Sequence, residues 1–515
     1  MSTHRALARS VRTLGGFTAV SRVLGFVRDV VIAAAFGTGV AAEAFVVSFK
    51  IPNLLRDLVG EGATNSAFVP VLTECREKRK EEFWGLVSAL FLSMAAILFM
   101  LSVLGILFAP QVVSWIAPGF LNSQDPEKFP LAVRLTRVIF PYIFLIGLSA
   151  LAMGVLNSLG EFTSSAFGPI LLNISMIIAG FAFEPVYGPM ALVAGVLVGG
   201  ILQLGCQVPA LFRRGFNFAP PAFGHGSLKK IGQLLIPRAM GSALYQINVF
   251  VDSILASFES VIGPGGQSAL YYSNRLFQLP LAIFGISLAQ ALLPTFSTQA
   301  AQRDSEGFKR TFSLSVRTLT AIVLPASIGL IVLAEPIIRI IFERGRFNAA
   351  STQATTPALF YYAFGLLSCC LIKILANAFY AMHDTRTPVK AMAFSVVLNV
   401  ALCLAFMGPL KVGGLTLASS ISATMNAGIL YYWLRKKMGR PDEGEMLQVF
   451  FKALGASCLM GAFAGAYNFW VLSPNRGAST LFQALGLAAG IGLSVLLYLG
   501  LALAFKMKEV RKIFP

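Results

Sequence analysis

The stretch Ser21-Arg22-Val23-Leu24-Gly25-Phe26-Val27-Arg28-Asp29 puts two guanidiniums and a carboxylate into an apolar run long enough to cross a membrane. An ionised side chain in hydrocarbon costs at least ~2.5–3.5 kcal/mol, so such groups face a water-filled cavity, a partner charge or a ligand. The next apolar run carries Glu43, Lys50, Asn53, Arg56 and Asp57, with Glu61 just beyond it. Far downstream, Tyr271, Asn274, Arg275 and Gln278 recur at helical spacing and form one polar stripe on an otherwise apolar helix. Arg22, Arg28, Arg56 and Arg275 at membrane depth point to an anionic ligand, because guanidinium stays charged and its planar fork suits phosphate or carboxylate.

Helix geometry refines this. Arg22 and Asp29 share a stripe with Gly25 between them, whereas Arg28 falls about 120° around an ideal helix. If both arginines face one cavity, the helix must bend, and Gly25 is where it can. On the second run Lys50, Asn53, Asp57 and Glu61 share a stripe with Arg56 beside it. Asp29, Glu43, Lys50, Asp57 and Glu61 either pair with opposite charges or gate, and Lys373 is an intramembrane charge with no partner nearby in sequence. Asp252 shares a face with Tyr245 and Asn248, and Asn399 with Ser419 or Ser420 could add oxygens. That set reads either as a sodium or proton coupling site or as structural hydrogen bonding. The six cysteines lack paired metal spacing and the three histidines fall in loops, so no metal site is expected.

These groups need many membrane-spanning helices to position them. With 56% hydrophobic and 12% charged residues, the 515-residue chain is not a soluble domain. Its net charge of +18 follows from basic residues in short loops rather than from nucleic-acid binding. At ~20 apolar residues per crossing, the chain is read as an all-α polytopic membrane protein of 14 spans. Their limits are 12–36, 40–62, 83–109, 131–157, 163–183, 187–212, 232–257, 269–296, 311–334, 354–380, 388–408, 412–434, 448–471 and 479–505. The first is a retained helix, since no small-residue cleavage site follows it. Basic clusters at 76–80, 213–230, 303–310, 386–390, 435–440 and 506–512 place both termini in the cytoplasm. Fewer cations lie outside, namely Lys128, Lys411, Arg476 and the trio Arg339, Arg344 and Arg346, which is either an interfacial anchor or part of an outward-facing anionic site.

The chain also repeats. Ala109-Pro110 to Gly119 matches Glu335-Pro336 to Gly345 at an offset of 226, Pro70 matches Pro294 at 224, and Tyr142 and Ser149 match Tyr361 and Ser368 at 219. A duplicated six-helix unit gives lobes at 1–220 and 221–440, related by an axis along the membrane normal. Two further helices, 441–515, have no repeat partner. No Gly-Lys dipeptide is present, so the chain has no phosphate-cradling loop for ATP. Neither does a nucleophile or metal set assemble a membrane enzyme.

The stretches quoted above, with Phe49-Lys50-Ile51-Pro52-Asn53-Leu54-Leu55-Arg56, Glu61-Gly62-Ala63, Ala67-Phe68-Val69-Pro70 and Tyr271-Tyr272-Ser273-Asn274-Arg275-Leu276, resemble the MurJ (MviN) lipid II flippases of bacteria along the whole chain. The resemblance implies the fold of the multidrug/oligosaccharidyl-lipid/polysaccharide exporter superfamily. Two pseudo-symmetric six-helix lobes would enclose a cationic cavity, and the two C-terminal helices would help form a groove for a lipid tail. It implies a secondary transporter of the bacterial inner membrane that carries an undecaprenyl-pyrophosphate-linked disaccharide-peptide to the outer leaflet by alternating access. Membrane lipids and other cell-wall synthesis proteins would be its partners. No cofactor is implied; coupling to sodium, protons or the membrane potential stays open. By motif match Arg22, Arg28, Arg56, Arg275, Asn53 and Asn274 would meet the substrate. The chain departs from the family pattern at Glu43, Asp57 and Asn274, and at Cys403 it lacks an acid that would strengthen a cation site. Rival readings are a drug or other polyprenyl-oligosaccharide exporter of the same superfamily, and a membrane scaffold that transports nothing.

Overall fold

Backbone in hydrocarbon must satisfy its own polar groups, which leaves helices as the economical solution for this composition. The structure, a computed structural model, describes residues 2–56, 67–217 and 219–509, with the side chains of 2–15, 55–56 and 235–245 outside the description. Among the described residues there is no strand. Two compact units divide the chain, Met1–Glu259 and Ser260–Pro515.

The first unit contains α1 (Ser2–Phe36), α2 (Val40–Arg56), α3 (Val69–Lys78), α4 (Phe83–Leu107) and α5 (Ala109–Ile116). It continues through α6 (Lys128–Ile139), α7 (Pro141–Ser158), α8 (Thr163–Ile178), α9 (Pro189–Arg213) and α10 (Gly226–Ala256). Its main core joins Ile32 of α1, Phe45 and Phe49 of α2, Tyr142 of α7, Met176 of α8 and Val196 of α9. Helices α8 and α9 meet at glycine: a Cβ on Gly199 would lie 2.7 Å from Leu172 Cδ1, and one on Gly195 2.6 Å from Ala179 Cβ. Small residues let membrane helices approach this closely.

The second unit contains α11 (Gly266–Pro280), α12 (Ser287–Ala301), α13 (Ser305–Val332), α14 (Ala334–Phe342) and α15 (Ala349–Phe364). It ends with α16 (Leu366–Ala381), α17 (Arg386–Leu410), α18 (Val412–Met438), α19 (Glu443–Tyr467) and α20 (Thr480–Ala504). Each unit follows a long helix with a short one and then a helix pair parted by one residue, Phe140 in the first and Gly365 in the second. This recurrence falls where the sequence repeat does. The compact division at 259/260 follows packing, which places α10 with the first unit; the division at 220 and 440 is a reading of the repeat and is not tested by packing.

The last two helices have no counterpart in the sequence repeat. In the structure they pack on α13 through Ala321, Leu324, Ala453, Met460 and Tyr498. The Tyr498 hydroxyl donates to the Ala321 carbonyl at 2.6 Å. Arg317 of α13 pairs with Glu445 at the start of α19 and lies 3.4 Å from Glu509 beyond α20.

Among the described residues nine helices are long and apolar enough to cross a membrane, and the pair Ala349–Phe364 and Leu366–Ala381, bent by 44°, makes a tenth if taken as one span. The expected count of 14 is thus not confirmed. The four expected spans that fail on apolarity or described length are 12–36, 40–62, 232–257 and 412–434. The first three carry Arg22, Arg28, Lys50 and Asp252, and the fourth is rich in Ser, Thr and Gly. Chemistry and hydrophobicity compete for the same helices.

Candidate functional site

Helix α1 runs unbroken past Gly25, and a Cβ there would meet Asn173 only at an ordinary 3.7 Å. Gly25 does not interrupt the helix. Arg28 instead turns toward α8: its Nε and Nη2 donate to Asp29 Oδ1 at 3.0 and 2.8 Å, and its Nη1 to Asn173 Oδ1 at 3.0 Å. Asn173 Nδ2 donates in turn to the Ser21 carbonyl at 3.0 Å. Arg28, Asp29 and Asn173 are all buried, so this arginine is held by protein charge, whereas Arg22 stands exposed on the same helix. Asn173 was missed from sequence, although an amide inside Ile170-Leu171-Leu172-Asn173-Ile174 is the kind of isolated polar residue that marks such a contact.

On α2, Glu43 is buried against Lys128 Nζ at 2.5 Å. Lys128, expected in an outer loop, is only 2% exposed. It also lies 3.6 Å from Glu259 Oε2 and 4.6 Å from the Phe120 ring centre. Ser123 Oγ donates to Glu259 Oε2 at 2.6 Å. One ammonium is thus shared by two carboxylates from opposite ends of the unit's sequence, which ties α2 and the 118–128 segment to the end of α10. Gly119 completes the tie by donating its N–H to Ser257 Oγ at 2.9 Å. A Cβ at Gly119 would lie 2.2 Å from the Ser257 carbonyl oxygen. Gly119→Ala is expected to cost about 1–3 kcal/mol through this overlap, read as a lowered thermal midpoint of the purified protein.

Lys50 is half-buried further along α2 and interacts electrostatically with Asp252 of α10. Pro52 is buried within α2 and Asn53 is half-buried. The side chain of Arg56, and all of Asp57 and Glu61, lie outside the described residues. Near the loop end of α3, Glu74 sits 2.5 Å from Lys230 of α10 and 3.0 Å from Lys78. Hydrogen bonds from Lys230 and then Lys78 hold its carboxyl at about 2. This tie is present above the ordinary carboxylate range and is lost only as pH falls toward that value.

In the second unit, α11 carries the polar stripe expected from sequence. Arg275 is half-buried with its guanidinium 4.8 Å from the Tyr271 ring centre, and its Nη2 donates to the Tyr271 hydroxyl at 3.4 Å. Gln278 Nε2 donates to Asn274 Oδ1 at 2.5 Å. Directly after Pro280 the helix widens into a π-helical turn, Leu281–Ile286. Gly285 in that turn packs on Cys370 of α16, where a Cβ would lie 2.7 Å from Sγ. Such π-helical turns recur at functional sites. Lys373 lies exposed on α16, one turn from Asn377, whose Nδ2 donates to the Ala289 carbonyl at 2.7 Å.

Asn399 and Ser419 do come together, Nδ2 to Oγ at 3.2 Å, with Cys403 Sγ 3.6 Å from Asn399 Oδ1. Among the described residues no cluster of three or more His, Cys, Asp or Glu suits a metal ion. Asp252 belongs to the first unit and faces the charge of Lys50.

The family model for the lipid II flippase MurJ matches residues 32–476. A relative from Haemophilus influenzae, "Probable lipid II flippase MurJ", is 37% identical over 468 residues, covering 87% of this chain and 90% of its own. One from Burkholderia cenocepacia, "Lipid II flippase MurJ", is 34% identical over 525 residues, covering 98% and 99%. A solved structure of lipid II flippase MurJ in an inward closed conformation superposes with a TM-score of 0.79 at 25% identity, covering 98% of this chain and 99% of that one. An inward-facing multidrug transporter of the MATE family superposes with a TM-score of 0.69 at 15% identity, covering 81% and 94%, which shows a shared fold alone.

Proposed function

The chain belongs to the lipid II flippase MurJ family, and from that premise we propose how its residues move the lipid. The protein is a multi-pass membrane transporter, not an enzyme, that flips lipid II for peptidoglycan synthesis. Its substrate is the undecaprenyl-pyrophosphate-linked disaccharide-peptide, carried from the cytoplasmic to the outer leaflet by alternating access. Both termini face the cytoplasm. The observation that carries the mechanism is the stripe on α11, a guanidinium steadied by an aromatic ring within the stretch Gly266–Ala301, which is long and apolar enough to span a membrane. Arg275, with Asn274 beside it, binds the pyrophosphate. In the first unit, Arg22, Arg56 and Asn53 are the residues we assign to the substrate. Arg28 serves indirectly, by locking α1 to α8 through Asp29 and Asn173.

The membrane potential is the energy source we favour over sodium. Asn399 and Ser419 meet a thiol rather than an acid, a poor set for a hard cation. An inside-negative potential drives anionic charge outward at ~2.3 kcal/mol per charge per 100 mV. In vesicles holding the purified protein and labelled lipid II, flipping is expected to rise several-fold when a potassium diffusion potential is imposed, and to be indifferent to a sodium gradient. A strict sodium requirement would remove the potential as driver.

A further inference from the structure

The basic residues of the second unit are concentrated where α13 begins and α18 ends, yet a separate arginine pair lies at the other end. Arg339 of α14 is buried, its side chain 9% exposed, and among the described residues no protein group accepts a hydrogen bond from its Nε or Nη1. Glu335 Oε1 lies 3.6 Å from Arg339 Nη1 and 3.4 Å from Nη2 of Arg476, in the turn between α19 and α20. One carboxylate oxygen is divided between two guanidiniums, so positive charge is in excess. The nearby side chains have contacts of their own: Arg344 Nη2 donates to the Ile340 carbonyl, and Glu343 accepts from Thr352 Oγ1. A buried guanidinium with unsatisfied donors is costly unless an acceptor reaches it.

Two further observations name the acceptor's surroundings. Phe469 and Trp470, in the π-helical turn Asn468–Leu472 that precedes Arg476, are both strongly exposed, Trp470 at 73%. Phe482, at the start of α20, is exposed as well. Exposed aromatics flanking a membrane helix end mark the headgroup level of the bilayer. Arg339 and Arg476 therefore open at the depth where lipid phosphates lie.

We propose that Arg339 and Arg476, bridged by Glu335, form a binding site for the phosphate of a lipid. Its assignment to the outer leaflet rests on the orientation given under the proposed function; the site itself does not. Arg339 presents its fork from the buried side and Arg476, 56% exposed, closes over the phosphate from the rim. Two lipids share this chemistry, a resident phospholipid such as phosphatidylglycerol and a polyprenyl pyrophosphate just delivered.

The test is native mass spectrometry of the full-length protein in detergent, titrated with phosphatidylglycerol or undecaprenyl pyrophosphate. The wild type is expected to keep one such lipid after delipidation, and Arg476→Gln to hold it roughly fivefold more weakly. Lys436→Gln, at the opposite end, is the control that leaves retention unchanged. Preferential retention of undecaprenyl pyrophosphate supports the site with the delivered lipid as source, and equal retention of phosphatidylglycerol supports it with the bulk bilayer as source. Retention of both lipids that is identical in wild type, Arg476→Gln and Arg339→Gln overturns the proposal and shows that water alone meets these guanidiniums. Flipping by Arg476→Gln, measured in parallel in vesicles, keeps that failure apart from any failure of the transport reading.

Discussion

Lys128→Met is expected to destabilise the protein by about 3–5 kcal/mol, the cost of leaving a buried charge without its partner. The ammonium lies 2.5 Å from Glu43 and 3.6 Å from Glu259, and it is almost wholly removed from solvent. Methionine fills the same volume but takes away the cation that both carboxylates share. Glu43 belongs to α2 and Glu259 follows α10, so the loss loosens a joint that closes the first unit upon itself. The measurement is the fraction of monodisperse protein surviving a temperature ramp. Adding Glu43→Gln and Glu259→Gln to Lys128→Met should recover most of the loss, because a neutral set needs no counter-charge. An unchanged midpoint for the single variant, or no recovery in the triple, would show that water reaches the cluster.

Arg275→Ala has its large effect on transport instead. A charge-assisted hydrogen bond contributes about 1.5–3 kcal/mol, so losing the contact we propose with pyrophosphate should slow flipping in vesicles by about 10–100-fold. Arg275→Lys should fall between, since an ammonium keeps the charge but not the planar fork. Tyr271→Leu should cost less than Arg275→Ala, because the ring only steadies the guanidinium. The thermal midpoint should hardly move in any of the three, as Arg275 is half-buried on α11. Arg28→Ala should differ: it removes the guanidinium that joins Asp29 to Asn173 in the α1–α8 contact, and stability should fall along with transport. If Arg275→Ala flips lipid at the wild-type rate, the pyrophosphate contact lies elsewhere.

Much of this was legible in the chain because charges in apolar runs are few and each must be explained. The stripe Tyr271, Asn274, Arg275 and Gln278 appears on α11 as its spacing requires. The repeat at an offset of 226 appears as two short helices, α5 and α14, in matching places. Other features depend on contacts between distant segments, which periodicity does not encode. Helix spacing puts Arg22 and Arg28 on different faces but does not say which is buried, and the partner that locks Arg28, Asn173, lies 145 residues away. Lys128 reads as a loop cation because its neighbours are Asp125, Glu127 and Pro130; its burial comes from Glu43 and Glu259. Likewise the place where α19 and α20 dock is not written in their own segments, because Arg317, which receives their flanking glutamates, lies far upstream in α13. Apolar length alone does not confirm the count of 14 spans among the described residues for a related reason: the helices richest in polar chemistry are the least hydrophobic.

The most direct measurement is made in the protein's own cell. The chain is depleted, an agent that degrades the lipid II head group is added from outside, and the intact precursor is counted. Depletion should leave precursor accumulated and protected; wild-type protein should restore its exposure, and Arg22→Ala combined with Arg275→Ala, present in the membrane at normal level, should not. Restoration of exposure by that double variant would contradict the assignment of these two guanidiniums to the pyrophosphate.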